Sequence, residues 1–210
     1  MTPSLMLIVI AKSVEERMAW ESHNVPLLHG ANYVGMVNHA AHSLAALANS
    51  AIDIYGAGQD VLGLIHADVF FDSPMYRMNG QAWTPDLKIL TDTAASGAVC
   101  GIVGAANDAQ RYYWGHSLEH EKLVSCLDGC SVFFPASSKL RFDEATFTGM
   151  HCHVEDLCLQ AHERGIPVVV PPVKADHAGR STFAPAWQVE YAKWRGVLNK
   201  KWEGKEFVTT

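Results

Sequence analysis

The chain has 210 residues, 49% of them apolar and 18% charged, a composition that excludes a disordered protein and fits a single domain over residues 1–210. A formal charge of -6 gives no electrostatic reason to bind nucleic acid, and the basic residues Lys193, Arg195, Lys200, Lys201 and Lys205 read as a solvated helix face. Five cysteines without a C-x-x-C pair argue against a disulfide framework or a zinc ribbon and predict reduced thiols in a cytoplasmic protein.

Leu5–Ala11 is a continuous apolar run with no basic segment before it, so it predicts a strand buried on both faces rather than a signal peptide. No stretch approaches the ~18 apolar residues of a membrane-spanning helix. Ser13-Val14-Glu15-Glu16 fits the S-x-x-E capping box and predicts a helix directly after the strand. Tyr33–Val37 is a second strand candidate. Asn38 is a suitable N-cap for an Ala- and Leu-rich helix over His39–Ile54, closed near Gly56 and Gly58.

Val61–Ile65 predicts a third buried strand, delivering His66 and Asp68 at its carboxyl end. Thr84–Ala95 predicts a helix with Pro85 in its first turn, and Ala98–Val103 a strand. A polar and aromatic loop, Asn107–Ser117, then carries Trp114. Leu123–Pro135 has strand-like runs on either side of Asp128-Gly129. Val154, Leu157, Cys158 and Ala161 share one helical face in Val154–Arg164, and Ile166–Val170 is the next strand. Trp187, Tyr191, Trp194 and Leu198 recur at helical spacing and predict a C-terminal helix packed on the sheet. Strands alternating with helices describe an α/β fold with a mostly parallel sheet, whose ligands gather at the carboxyl ends of the strands.

Three clusters carry residues capable of chemistry. Asp68 is either a turn residue or a hard oxygen ligand for a divalent cation, with His66 beside it. In residues 147–165, His151 and His153 would share one face of a strand, a spacing open to metal binding. Glu155-Asp156 follows at a helix start, where an acid is either a partner of the helix dipole or a general base. His177 lies on a loop beside glycine.

In order along the chain stand His66-Ala67-Asp68-Val69, Gly101–Gly104, Trp114-Gly115, Asp128-Gly129 and Phe142-Asp143-Glu144. Gly149-Met150-His151, Asp156-Leu157-Cys158-Leu159 and His177-Ala178-Gly179 complete the series. Together they resemble the glycosyltransferase family 2-like proteins of the streptomycin-biosynthesis type, which have the GT-A fold, over residues 5–180. The resemblance implies transfer of a sugar from a nucleotide-diphosphate donor to an acceptor hydroxyl, with inversion and with a divalent cation, manganese or magnesium. It assigns Asp68 to the metal and the donor, His66 to the donor, and His177 to the metal. Asn38, Trp114 and Asp128 fall in the same donor-binding set. Asp156 is implied as the base that deprotonates the acceptor, with Glu155 as its partner.

The chain departs from the family pattern in three places. Val154 stands where an additional Asp is usual, Glu155 where an apolar residue is usual, and Ala11-Lys12-Ser13 lacks the customary polar nucleotide-binding signature. A GT-A-like domain that binds a nucleotide or a partner without turnover is therefore the alternative. A metallohydrolase built on His151, His153 and His177 ranks below both. The acceptor is not identified by sequence, and a homo-oligomer is left open.

Overall fold

A computed structural model describes residues 2–25, 28, 31–38, 43–71, 85–106, 111–113, 120–173, 175–177 and 185–209. In chain order the elements begin with β1 (Leu5–Ala11), α1 (Val14–Asn24), β2 (Asn32–Val37), α2 (Leu44–Tyr55), β3 (Val61–His66) and β4 (Val69–Phe70). They continue with α3 (Pro85–Ala95), β5 (Val99–Cys100), β6 (Val103–Ala105), β7 (Arg111–Tyr113), β8 (Lys122–Leu123) and β9 (Cys126–Leu127). The last are β10 (Ser131–Pro135), α4 (His153–Glu163), β11 (Val168–Val170), β12 (Asp176–His177) and α5 (Pro185–Lys201).

Seven strands form the central sheet in the order β2-β1-β3-β10-β5-β11-β8. β1 runs parallel to β2 and β3, and β5 runs parallel to β11. β10 is antiparallel to both β3 and β5, so five strands point one way and β10 and the edge strand β8 point the other. The sheet is thus mostly parallel, as the alternation of elements predicts. β4 pairs with β12, and β6 pairs with β7 and β9, in two small sheets beside it.

Strand periodicity explains why the central runs are apolar throughout. Met6, Ile8 and Ile10 of β1 pack into one core with α2, α4 and α5, while Leu5, Leu7, Val9 and Ala11 pack into a second core with Trp20 of α1 and Leu87 and Leu90 of α3. β3 divides in the same way, Leu62 and Leu64 to the first core and Val61 and Ile65 to the second. The result is a three-layer molecule with helices on both faces of the sheet. Gly63 lets Phe133 of β10 close on β3, because a Cβ there would come within 2.8 Å of the ring.

The helix starts agree with the sequence in part. The Ser13 hydroxyl accepts from the Glu16 N–H at 3.1 Å, as a capping box requires, but the Glu16 carboxylate reaches back to the Lys12 N–H instead of to Ser13. α2 starts at Leu44 and not at the cap expected from Asn38. Its N-cap is Ser43, whose hydroxyl accepts from Ala46 and donates to the Phe147 carbonyl at 2.8 Å. Asn38 instead ends the β2 segment, its N–H donating to the Ala11 carbonyl. Residues 39–42 lie outside the described part. All five cysteines are buried and free, and no helix among the described residues is long and apolar enough to cross a membrane.

Candidate active site

The carboxyl ends of β1, β2 and β3 meet in a small crevice. Ala11 and Lys12 come from the first, Asn38 from the second, and His66, Ala67 and Asp68 from the third, with Met150 closing the crevice from the loop before α4. Parallel strands in register produce this convergence, because Ile10 pairs with both Met36 and His66. Backbone bonds fix the turn that carries Asp68: Ala67 N–H donates to Ile10 at 2.8 Å, and His66 N–H donates to Cys130 at 2.9 Å.

Two side chains of α1 hold the far side of the same turn. The Trp20 indole donates to the Val69 carbonyl at 2.9 Å, and the buried Asn24 amide oxygen accepts from the Phe71 N–H at 3.1 Å. The Asp68 carboxylate therefore projects from a braced turn. The Lys12 ammonium stands 4.0 Å away from it. Asn38 is 5% exposed, and neither its amide oxygen nor its amide nitrogen has a hydrogen-bond partner among the described residues. A buried amide left with one free acceptor and one free donor group is costly unless a ligand satisfies it.

The turn before β10 and the start of α4 lie close to the crevice, near enough for His66 to act on His153 and Asp68 on Cys130. Asp128 accepts from the Cys130 N–H at 2.9 Å, an Asx turn that carries the chain out of β9 and into the central sheet. A Cβ on Gly129 would stand 3.9 Å from His153 Cε1, so this turn packs against the His153 ring. Cys152 has φ 65°, in the left-handed region, and this turns the chain so that His151 and His153 part company. His151 is half-buried, edge-on to Trp187 and Tyr191 with ring centroids 5.2 and 5.8 Å away. His153 is fully buried beside Phe142. The strand-like His-x-His pair does not form, because His153 is already the first residue of a helix.

Burial, reinforced by the neighbouring His66 and His151, pushes the His153 imidazole down to about 3, so it is neutral at ordinary pH. Burial also depresses His151, against the pull of Glu190 and Asp128. Glu155, only 3% exposed, is pushed up to about 8, chiefly by burial, with Asp128 and Asp156 adding to the effect and its own backbone N–H and Arg195 opposing it. Its Oε2 has no hydrogen-bond partner among the described residues.

Asp156 is held quite differently. Its Oδ1 accepts from the Trp202 indole at 2.7 Å and lies 2.6 Å from the Lys201 ammonium, while its Oδ2 accepts from the Gln160 amide at 2.8 Å. With no exposure to solvent, this carboxylate joins α4 to the end of α5. The two acids of the Glu155-Asp156 pair therefore have different occupations: Asp156 is saturated by donors and Glu155 is not.

Of the other residues implied by the resemblance, Trp114 lies outside the described residues. The backbone of His177 is placed, opposite Val69 in the β4–β12 pair and so next to Asp68 in register, but its side chain lies outside the description. A divalent cation, which the resemblance also implies, would find a hard carboxylate in Asp68. Among the described residues no three His, Cys, Asp or Glu side chains gather to ligand distance, so substrate phosphate oxygens would have to complete the coordination. Asp68 with a diphosphate fits that requirement. Lys12 and Glu16 of the crevice were not singled out by sequence; the only signal was the S-x-x-E motif that brings Glu16 back over Lys12.

The architecture and the strand-end crevice define a chain of the GT-A class of folds. Among solved structures, the catalytic domain of Drosophila β1,4-galactosyltransferase 7 in complex with xylobiose is similar at a TM-score of 0.55 and 11% identity, covering 87% of this chain and 74% of that one. A mutant of the same enzyme in complex with manganese, UDP-Gal and xylobiose is similar at a TM-score of 0.54, with the same identity and coverage. At this identity the likeness is one of fold. No family model matches the chain, and neither does any curated protein.

Proposed function

We propose that this chain transfers a sugar from a nucleotide-diphosphate donor to an acceptor hydroxyl, with the crevice at the ends of β1, β2 and β3 as the donor end and Glu155 as the base. The observation that carries the proposal is the strand-end crevice, where His66 and Asp68 line one pocket with an Asn38 amide that has no hydrogen-bond partner among the described residues. That the Drosophila enzyme of the same fold forms complexes with manganese, UDP-Gal and xylobiose supports it.

In this scheme Asn38 binds the nucleoside at one end of the crevice, and Asp68, with His66 and His177, would hold a divalent cation at the diphosphate end. When bound, the cation supplies positive charge against the charge that collects on the departing diphosphate. Lys12 adds a second positive charge beside Asp68. The acceptor oxygen forms its bond to the sugar carbon as the bond to the diphosphate oxygen breaks. Attack from the face opposite the leaving group inverts that carbon. The hydroxyl proton passes to Glu155, which must first be ionised. Asp156 keeps α4 seated on α5 and takes no proton.

The test is a pH profile of transfer. Because burial holds Glu155 at about 8, the rate rises as pH increases through that region. Glu155→Gln abolishes this rise and lowers turnover by about 10²–10⁴-fold. Full activity in Glu155→Gln would remove Glu155 from the mechanism.

A second reading is a nucleotide-sugar-binding domain without turnover. It is favoured by Val154, an apolar residue buried where the related pattern has an acid, and by the structural use of Asp156. Binding of a nucleotide sugar with neither transfer nor slow hydrolysis would establish it.

A further inference from the structure

Trp187 and Tyr191 are one turn apart on α5 and stack face to face, with centroids 5.0 Å apart and planes within 5° of parallel. The other tryptophans of this region, Trp194 and Trp202, are sealed in the core at 7% and 8% exposure, whereas Trp187 and Tyr191 are only half-buried. The His151 imidazole meets both rings edge-on, and Met150 beside it lines the donor crevice. Gly149 fixes this arrangement, since a Cβ there would lie 2.3 Å from the Trp194 indole nitrogen and would push the loop off α5. The aromatic group thus joins α5 to the loop that carries Met150, with Glu155 near enough to act electrostatically on Tyr191.

Its surroundings specify what it can hold. Glu190 and Asp128 act electrostatically on His151, Arg195 and Thr209 meet the Tyr191 phenol, and Glu155 is close enough to act on it. Flat apolar rings rimmed by hydrogen-bonding groups suit a molecule with an apolar face and a polar edge. A pyranose is such a molecule, since its axial C–H bonds form one face and its hydroxyls the rim. The Glu190 and Asp128 side chains acting on His151 disfavour a phosphorylated or otherwise anionic acceptor, and the polar rim disfavours a lipid.

We infer that Trp187, Tyr191 and His151 form the acceptor subsite and that the acceptor is an uncharged carbohydrate whose ring packs on the aromatic group. This rests on the transferase proposal for the reaction but stands on separate residues. The platform binds the sugar and presents one hydroxyl toward α4, so Trp187 fixes the acceptor's position and Glu155 handles the proton.

The experiment is saturation-transfer-difference NMR of the full chain with xylobiose, cellobiose, lactose and maltose, alongside thermal shifts with nucleotide sugars. The expected result is saturation transfer to ring C–H protons of at least one disaccharide, binding about tenfold weaker in Trp187→Ala, and partial recovery in Trp187→Phe. Both variants are first checked for the wild-type circular dichroism spectrum, and Trp187→Leu, which keeps apolar volume without a flat ring, serves if Trp187→Ala is misfolded. The nucleotide-sugar shift is expected to be unchanged in all three. If none of the disaccharides binds the wild type, or if the variants lacking the ring bind equally well, the platform is overturned even where donor binding persists. Disaccharide binding without any donor binding would keep the platform and overturn the transferase reading.

Discussion

Glu155 and His153 sit two residues apart in the first turn of α4, and burial acts on both by disfavouring the charged form, with opposite consequences for pH. For Glu155 the folded value of about 8 lies above the ordinary 4.5. Its contribution to stability is full below about 4.5 and is lost as pH rises toward 8, at ~1.4 kcal/mol per pH unit. For His153 the folded value of about 3 lies below the ordinary 6.5, so the unfolded chain binds the extra proton and stability is lost as pH falls from 6.5. Between about 4.5 and 6.5 the two slopes cancel. The expected outcome is therefore a plateau from these two groups in that window, with Glu155 alone reducing stability above it. Urea unfolding across pH checks this: the stability gained in Glu155→Gln grows from pH 4.5 to 8 and then levels, reaching on the order of 3 kcal/mol at pH 7. A pH-independent difference would mean that the carboxyl titrates in the fold as it does in the unfolded chain and that burial does not hold it near 8. The sequence placed both acids at a helix start. It could not say which was saturated, because two of the three donors to Asp156, Lys201 and Trp202, are some 45 residues away.

At the scale of elements, α4 and α5 show what helical periodicity can and cannot specify. Val154, Leu157, Cys158 and Ala161 all have no exposure, as their shared face predicts, and Trp194 and Leu198 are buried as expected. Trp187 and Tyr191 follow the same spacing yet remain half-buried, because periodicity fixes a face but not how far along the sheet that face stays covered. The start of α2 has a similar cause. Asn38 and Ser43 are both good caps, and the choice depends on where β2 stops pairing with β1. The contact between α4 and α5 depends on Asp156, whose carboxylate has no exposure while Lys201 retains some. Lys201→Ala leaves that carboxylate without its cation and is expected to cost about 3 kcal/mol, the lower end for a buried pair. Chemical denaturation measures the loss, and the nucleotide-sugar thermal shift of the folded fraction is unchanged. If Asp156 were instead the base, Lys201→Ala would act on the pH profile of transfer while leaving stability nearly intact.

Across the whole molecule, the apolar runs and the helices between them were enough to define a layered α/β fold, because buried central strands must be apolar on both faces. The antiparallel insertion of β10 between β3 and β5 was not legible, since an apolar strand such as Val132-Phe133-Phe134 carries no mark of its direction or its neighbours. The same gap kept the strand-end crevice out of reach of composition and spacing: Asn38 and Asp68 meet because β2 and β3 flank β1. Motif order suggested the pairing through a resemblance, and strand order gives it a geometry. That geometry makes a demand on binding. A nucleotide diphosphate bound at these strand ends would bring its negative charge beside Asp68, where Lys12 offsets part of the repulsion, so a divalent cation is expected to strengthen binding. A thermal-shift comparison of UDP-, GDP-, CMP- and dTDP-sugars tests this. With manganese, one donor at about 100 times its Kd adds ~2.7 kcal/mol and raises the Tm by about 5–10 °C, while EDTA reverses most of the rise. Asp68→Asn loses the manganese-dependent part and keeps the unliganded Tm within about 2 °C, because the turn is braced by Trp20 and Asn24 and does not depend on the carboxylate. An equal shift with and without manganese, in wild type and Asp68→Asn alike, would remove the metal from the proposed mechanism and leave the diphosphate to be held by side chains such as Lys12.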